Sequence, residues 1–366
     1  MVKYNATSFP ERGSVIYSCS TYQQRLCAEE NKNTIWPNVL NSENFTAMAF
    51  FSEEHLNWWT WIWILFACFA ASLTRLACNW GPLKTICNSI RKHPKDIFTA
   101  NVSTCTSLSC VRCSASLFST ENLLGKWSVI EKELLPGEDV RRRVKKGLLR
   151  NHNFTENSMQ APSVLFVDEL PFKAWYTVDD FPEEVSVLEN DATFEIFMHE
   201  FLEIYQDLSV GWVSNKVPSG GWYLFDLFNQ GVKIEDNCRR CPRTMELIER
   251  LPLFLSGCAF GNVMFSVLLP KTVISRHCGP SNVRIRCHIP LEAPEGYFIA
   301  VAGKESSWKK RKVLIFDDSF YHKVYHCGNG TEPRVVLMVD FWHPCLTFEE
   351  KQIITSLFSL KPSENL

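Results

Sequence analysis

A mostly β domain of the jelly-roll type, entered through helices and preceded by a membrane-spanning helix, is the fold class this chain predicts. Three observations carry it. Short β-like segments separated by Gly, Pro and Asn fill residues 263–343; stretches with helical spacing of apolar residues come before them; and residues 56–73 form an apolar run without a single charge. Short antiparallel strands wound into two sheets enclose an interior that can hold a ligand and a metal. At 366 residues and a net charge of −2, the chain has length for two domains and no basic excess to serve nucleic acid.

From the N-terminus, residues 1–54 are polar, rich in Asn, Ser and Thr, and aperiodic, which predicts a loosely structured tail. Residues 55–75 predict a transmembrane helix. At ~1.5 Å per residue the uncharged run nearly crosses a ~30 Å hydrocarbon core. Trp58, Trp59, Trp61 and Trp63 cluster at one end as an interfacial belt does, with Arg75 and Trp80 at the other. The run lies too far inside the chain for a cleaved signal peptide, and a buried core helix is the competing reading.

Residues 76–160 read as a Cys-, Ser- and Thr-rich connector followed by a helix over 121–150, cut in two by Pro136-Gly137. Its charge run, Arg141 to Lys146, reads as a solvated helix face, with contact to anionic lipid as the alternative. Residues 161–350 form the predicted catalytic domain, and 351–366 a C-terminal tail. Within the domain, 164–167 predict a first strand and 185–205 one amphipathic helix carrying Val187, Leu188, Phe194, Phe197, Phe201 and Tyr205. His199 on that helix reads as a surface residue. Strands are expected over 224–228 and 263–269, with a helix over 243–251 between them.

The chemistry concentrates in the strand-rich part, where five of the nine histidines lie between His277 and His343. His277 and His322 on separate strands would leave coordination positions open on a metal such as Fe(II). The carboxylate that usually follows two residues after the first histidine is replaced by Gly279. Strict alternation in Val283-Arg-Ile-Arg-Cys-His-Ile289 puts Arg284, Arg286 and His288 on one strand face and Val283, Ile285 and Cys287 on the other. Arg334 offers a guanidinium fork for a carboxylate.

The block His277-Cys-Gly-Pro-Ser-Asn-Val-Arg-Ile-Arg-Cys-His288, with Val313-Leu-Ile-Phe-Asp-Asp-Ser-Phe320 and Val339-Asp-Phe-Trp-His-Pro344, resembles the aspartyl/asparaginyl β-hydroxylases, notably their short membrane-anchored members. The likeness runs from about Phe166 to His343. It implies a double-stranded β-helix and an Fe(II)- and 2-oxoglutarate-dependent dioxygenase that hydroxylates Asp or Asn in a peptide. It also accounts for Gly279, because this family holds iron with two histidines alone. By this resemblance His277 and His322 bind the metal, and Trp222, Ser266, Arg286, Cys287, His288 and Arg334 belong to the co-substrate site. Asp318 would hydrogen-bond a water in the position the carboxylate leaves, the alternative being an aspartate that bonds local backbone. Leu224 stands where the family's hydroxylase has a polar residue near the peptide, which leaves the substrate open. The alternative function is a catalytically silent binding domain on the same fold.

Compartment is read from three signals. Lys84, Arg91, Lys92 and Lys95 follow the span and by the positive-inside rule put the C-terminal region in the cytosol. The resemblance implies instead a lumenal domain in the endoplasmic reticulum or secretory pathway, which the sequons at Asn101, Asn153 and Asn329 permit, while Asn5 and Asn44 head sequons on the other side of the span. Among fifteen cysteines, Cys110/Cys113 and Cys238/Cys241 form two Cys-x-x-Cys pairs, open to a shared zinc site or to disulfides. A zinc-stabilised interaction module built on them would leave the histidine block unexplained.

Overall fold

The structure, a computed structural model, describes residues 103–104, 118, 120–133, 138–149 and 159–360. The chain divides into two compact units, 1–73 and 74–366, and every described residue belongs to the second. The N-terminal tail, the apolar run 56–73 and Cys110/Cys113 lie outside the described residues. Among those described, no helix is long and apolar enough to cross a membrane.

Among the described residues, two sheets make the frame. The larger has nine strands, ordered β1 (Ser103–Thr104), β3 (Trp212–Asn215), β4 (Trp222–Asn229), β6 (Val263–Leu268), β13 (Arg334–Trp342), β8 (Arg284–Glu292), β11 (Leu314–Phe316) and β2 (Trp175–Tyr176), with β5 (Val232–Lys233) beside β4. The smaller runs β10 (Lys304–Ser307), β9 (Tyr297–Val301), β12 (His322–His326) and β7 (Val273–His277). From β6 onward the chain passes back and forth between them: β7, β9, β10 and β12 enter the small sheet, and β8, β11 and β13 return to the large one. That alternation is jelly-roll winding. All pairings along it are antiparallel.

Side-chain alternation sorts the large sheet into two faces. Phe225, Phe265, Ile285, Cys287, Ile289, Leu337 and Val339 face a core shared with α3 (Pro182–Leu188), α4 (Asp191–Gln206) and, after the short α5 (Glu235–Arg240), α6 (Pro242–Glu249); α3, α4 and α6 contribute Leu188, Phe197, Phe201, Met245 and Ile248. Each such fully buried side chain is worth roughly 1.5–3 kcal/mol. The opposite faces of the same strands, with Leu224, Met264, Leu268 and Met338, pack with Ile299, Val301 and Val324 of the small sheet. Polar groups on these inner faces form the site.

Several sequence expectations are corrected here. The single helix over 185–205 is two, because the Asn190 side chain accepts from the backbone N–H groups of Ala192 and Thr193 and starts α4 afresh. The strand expected at 164–167 is an extended segment whose Val167 N–H and C=O are both held by the Asn282 amide. The tail expected from 351 is largely α7 (Phe348–Phe358), opened by a Thr347/Glu350 capping box. Its Ile353, Ile354, Leu357 and Phe358 pack with Leu123 and Trp127 of α1 (Thr120–Glu133) and Val144 and Leu148 of α2 (Glu138–Leu149). The connector helices and the C-terminal helix therefore belong to the folded unit. Pro136-Gly137, where a break is expected, lies outside the described residues, between the end of α1 and the start of α2. On the charge run of α2, Arg142 and Lys146 are exposed as a solvated face would be, while Arg143 is drawn in to Glu350.

The expected strands at 224–228 and 263–269 and the helix at 243–251 correspond to β4, β6 and α6. Cys238 and Cys241 are free, buried thiols, not a disulfide pair. Burial pushes Cys238 up to about 11, and its Sγ lies 3.1 Å from the Leu227 carbonyl oxygen.

Candidate active site

β7 ends and β12 begins at register partners, His277 opposite His322, which brings the two rings to 4.1 Å between centroids. Each imidazole is oriented by its own strand. His277 Nδ1 lies 2.8 Å from Ser275 O, and His322 Nδ1 lies 2.9 Å from Phe320 O. A carbonyl only accepts, so both Nδ1 atoms carry a proton, and in the neutral ring the lone pair falls on Nε2. Burial, then the neighbouring His277, draws His322 down to about 3, so it stays neutral as a metal ligand must.

Gly279 follows in the turn after β7. A Cβ there would fall inside the Asp318 carboxylate, while the Gly279 N–H donates to Asp318 O at 2.6 Å. No carboxylate side chain fits at position 279. Asp318 itself is bonded through Arg284 Nε at 3.2 Å and Arg284 Nη2, with Arg286 Nη1 at 3.3 Å. Burial alone would raise its pKa, but Arg284 and Arg286 outweigh that and hold it well below the carboxylate range. The local backbone bonds considered for Asp318 are made by its neighbour: Asp317 accepts from the Ser319 N–H and hydroxyl.

Across the inner face, β13 puts Asp340 opposite Arg286, and the guanidinium donates to both carboxylate oxygens, at 2.9 and 3.0 Å. Arg284 and Arg286 are thus neutralised by Asp318 and Asp340. Arg334 differs. It is 2% exposed, and among the described residues no carboxylate pairs with it. Its Nη2 donates to Ser266 Oγ at 3.1 Å, its guanidinium lies 4.7 Å from the Trp308 ring, and its Nε has no partner. Burial lowers its pKa to about 10.

Ser266 Oγ also accepts from Trp222 Nε1 at 3.0 Å, so both its lone pairs are occupied and its own proton is available to a ligand. His288 receives the Trp308 indole N–H on Nδ1 at 3.0 Å, which puts its proton on Nε2, a buried donor without a partner. Burial, then Arg334 and Arg286, holds His288 well below its ordinary value and neutral. One narrow cavity is lined by Trp222, Ser266, His277, Arg286, His288, His322 and Arg334, with Ile274, Ile299, Phe316, Val324 and Met338 as its apolar walls.

Residues 176–344 match the family description "Aspartyl/Asparaginyl beta-hydroxylase". The chain is 38% identical over 263 residues to "Aspartate beta-hydroxylase domain-containing protein 2" of Xenopus tropicalis, covering 70% of each chain. The chain belongs to the aspartyl/asparaginyl β-hydroxylase family. It is also 36% identical over 211 residues to the human "Aspartate beta-hydroxylase domain-containing protein 1", covering 56% of this chain and 53% of that one. With the human "Aspartyl/asparaginyl beta-hydroxylase" it shares 37% identity over 144 residues, 39% of this chain and 19% of that protein. Membership supports a hydroxylase-type function, carried by the β-rich domain.

Of the residues expected in the site, the cavity gathers His277, His322, Trp222, Ser266, Arg286, His288 and Arg334. Cys287 is corrected: it points to the opposite face of β8, fully buried with Ile285 and Ile289 against the helices, because strand alternation cannot turn it inward beside Arg286 and His288. Asp318 is near but engaged by arginines. Asp340 and Trp308 were missed. Counting by twos along β13 from Arg334 reaches Asp340, so period alone would have found it; Trp308 follows β10 outside any strand and has no such signal.

Proposed function

We propose that this protein is a membrane-anchored Fe(II)- and 2-oxoglutarate-dependent dioxygenase that hydroxylates a peptidyl side chain. One observation carries the reading: the buried Arg334 guanidinium, with no carboxylate partner among the described residues, shares a cavity with two histidines, each with Nδ1 held by a backbone carbonyl and Nε2 left for a metal. A cation buried in that way calls for an anionic ligand, and a paired-imidazole donor set suits Fe(II).

His277 and His322 would hold the metal. Arg334, the Ser266 hydroxyl and the His288 Nε2–H would receive the far carboxylate of 2-oxoglutarate, three donors converging on one acceptor group. When bound, iron and co-substrate supply oxidative chemistry in which O₂ is split, 2-oxoglutarate leaves as succinate and CO₂, and one oxygen becomes a hydroxyl on the substrate carbon. The chain's own work is orientation and exclusion of water, for which Trp222, Phe316, Ile299 and Met338 wall the cavity. Asp318 fills the space beside Gly279 where a side chain would otherwise stand, and its charge is matched by Arg284 and Arg286. Leu224 is buried with Met264 and Leu268, so polar recognition of an Asp or Asn side chain would have to come from elsewhere.

The family name makes Asp- and Asn-containing peptides the first substrate panel. The test is succinate formation by the full chain and by His277→Ala and His322→Ala. Both variants should be inactive; undiminished turnover in either removes the assignment.

The anchor is the apolar run 56–73, and the catalytic unit would lie in the lumen of the secretory pathway. Two features support that side. Cys327 is disulfide-bonded, as cysteines of oxidising compartments are, and the sequon at Asn329 lies exposed in the loop between β12 and β13. An endoglycosidase-sensitive mass that disappears in Asn329→Gln would support the lumen. An unglycosylated chain with reduced Cys327 would reverse the orientation and restore the reading from the positive flank.

A further inference from the structure

We infer that Trp308 is a positioning residue for 2-oxoglutarate recognition, acting on both His288 and Arg334; the inference rests on the functional reading above. Trp308 sits just after β10 and is 5% exposed, packed between the two sheets. Its indole N–H donates to His288 Nδ1 at 3.0 Å, and its ring lies 4.7 Å from the Arg334 guanidinium carbon. The two ring planes are nearly parallel, 16° apart, with centroids 6.0 Å apart.

An indole nitrogen donates and never accepts. Its bond to Nδ1 therefore forces the neutral His288 into the tautomer with the proton on Nε2, the atom without a partner. In the other tautomer, Nε2 would present a lone pair, and a carboxylate would be repelled where it should be held. The ring face does a second job. Arg334 has Ser266 on one nitrogen and no carboxylate among the described residues, so the electron-rich face of Trp308 is a contact that steadies the guanidinium before a ligand arrives. One side chain thus fixes the donor direction of one anion contact and the position of another.

Trp308→Phe separates the two effects, since it keeps an aromatic face and deletes the N–H along with the five-membered ring. In the full chain purified in detergent, anaerobic calorimetry with Fe(II) would compare 2-oxoglutarate with 2-oxobutyrate, a keto acid that lacks the far carboxylate. We expect Trp308→Phe to weaken 2-oxoglutarate by about tenfold or more, the scale of one hydrogen bond to a charged group, and to leave 2-oxobutyrate unchanged. Side-chain ¹⁵N signals of His288, recorded without ligand, should show the Nε2–H tautomer in the parent and loss of its dominance in the variant. Equal weakening of both acids would indicate a merely structural role and overturn the inference, as would an unchanged tautomer with unchanged affinity. Failure of the parent to bind either acid would count against the functional reading instead, and the tautomer signal would still decide whether Trp308 sets His288.

Discussion

Replacing Arg334 with Met should stabilise the ligand-free protein while removing its co-substrate affinity. Burial lowers the guanidinium pKa to about 10 from the ordinary 12.5. At about 1.4 kcal/mol per pH unit, the folded state carries a penalty of about 3 kcal/mol for keeping that charge. The sign follows from the direction: at neutral pH the side chain is protonated folded and unfolded, and the depressed folded value means the charge is held less favourably in the fold. Against this, Met forfeits the Ser266 hydrogen bond and the Trp308 contact, about 1 kcal/mol each. The balance is a gain of about 1 kcal/mol, or a Tm higher by roughly 2–4 °C for a domain of this size. Loss of the only uncompensated cation lining the cavity among the described residues should cost 2-oxoglutarate at least about 30-fold in affinity, as truncating one partner of a buried charge pair does. Scanning calorimetry and anaerobic titration read the two effects. A Tm several degrees lower, together with unchanged affinity, would refute the reasoning, because Arg334 would then be a structural cation.

Three further outcomes follow from particular contacts. Gly279→Asp should lower Tm by several degrees, since its side chain must displace Asp318 from Arg284, and adding Asp318→Gly should recover part of the loss by emptying that space; a well-folded single variant would contradict the close approach. Burial pushes the Asp317 carboxyl up to about 8, so its stabilising contribution is fully present below about pH 4 and is lost as pH rises through about 8. The difference in Tm between the parent and Asp317→Asn should therefore change across pH 4–8, and parallel profiles would rule that out. Asn190→Ala should cost about 1 kcal/mol by uncapping α4, a Tm drop of roughly 2–4 °C by calorimetry, and no drop would mean the cap contributes nothing.

What the sequence made legible is largely what strand alternation and family motifs carry. Arg286 and His288 share a face by period, His277, His322 and Arg334 stand out by the chemistry of their side chains, and Ser266 and Trp222 came through the resemblance. Cys287 went wrong where the two disagreed: alternation turned it away from the site, and the structure sides with alternation. Contacts between residues distant in sequence were not legible. Trp308 reaches His288 across the turn that leads into β11, and Asp340 meets Arg286 only through the β8–β13 register. α7 was mistaken for tail because its apolar face acquires meaning only against α1 and α2. The break at Asn190 was visible in principle, as an Asn ahead of a new apolar run, but continuous apolar spacing across it concealed the cap.

The most direct test is anaerobic absorbance of the full chain as Fe(II) and then 2-oxoglutarate are added, with His277→Ala and Arg334→Met alongside. The account predicts a visible band in the parent that requires both additions, is absent in His277→Ala, and in Arg334→Met appears only at far higher 2-oxoglutarate. A folded parent that gives no band, or a band of equal strength and affinity in both variants, would contradict it.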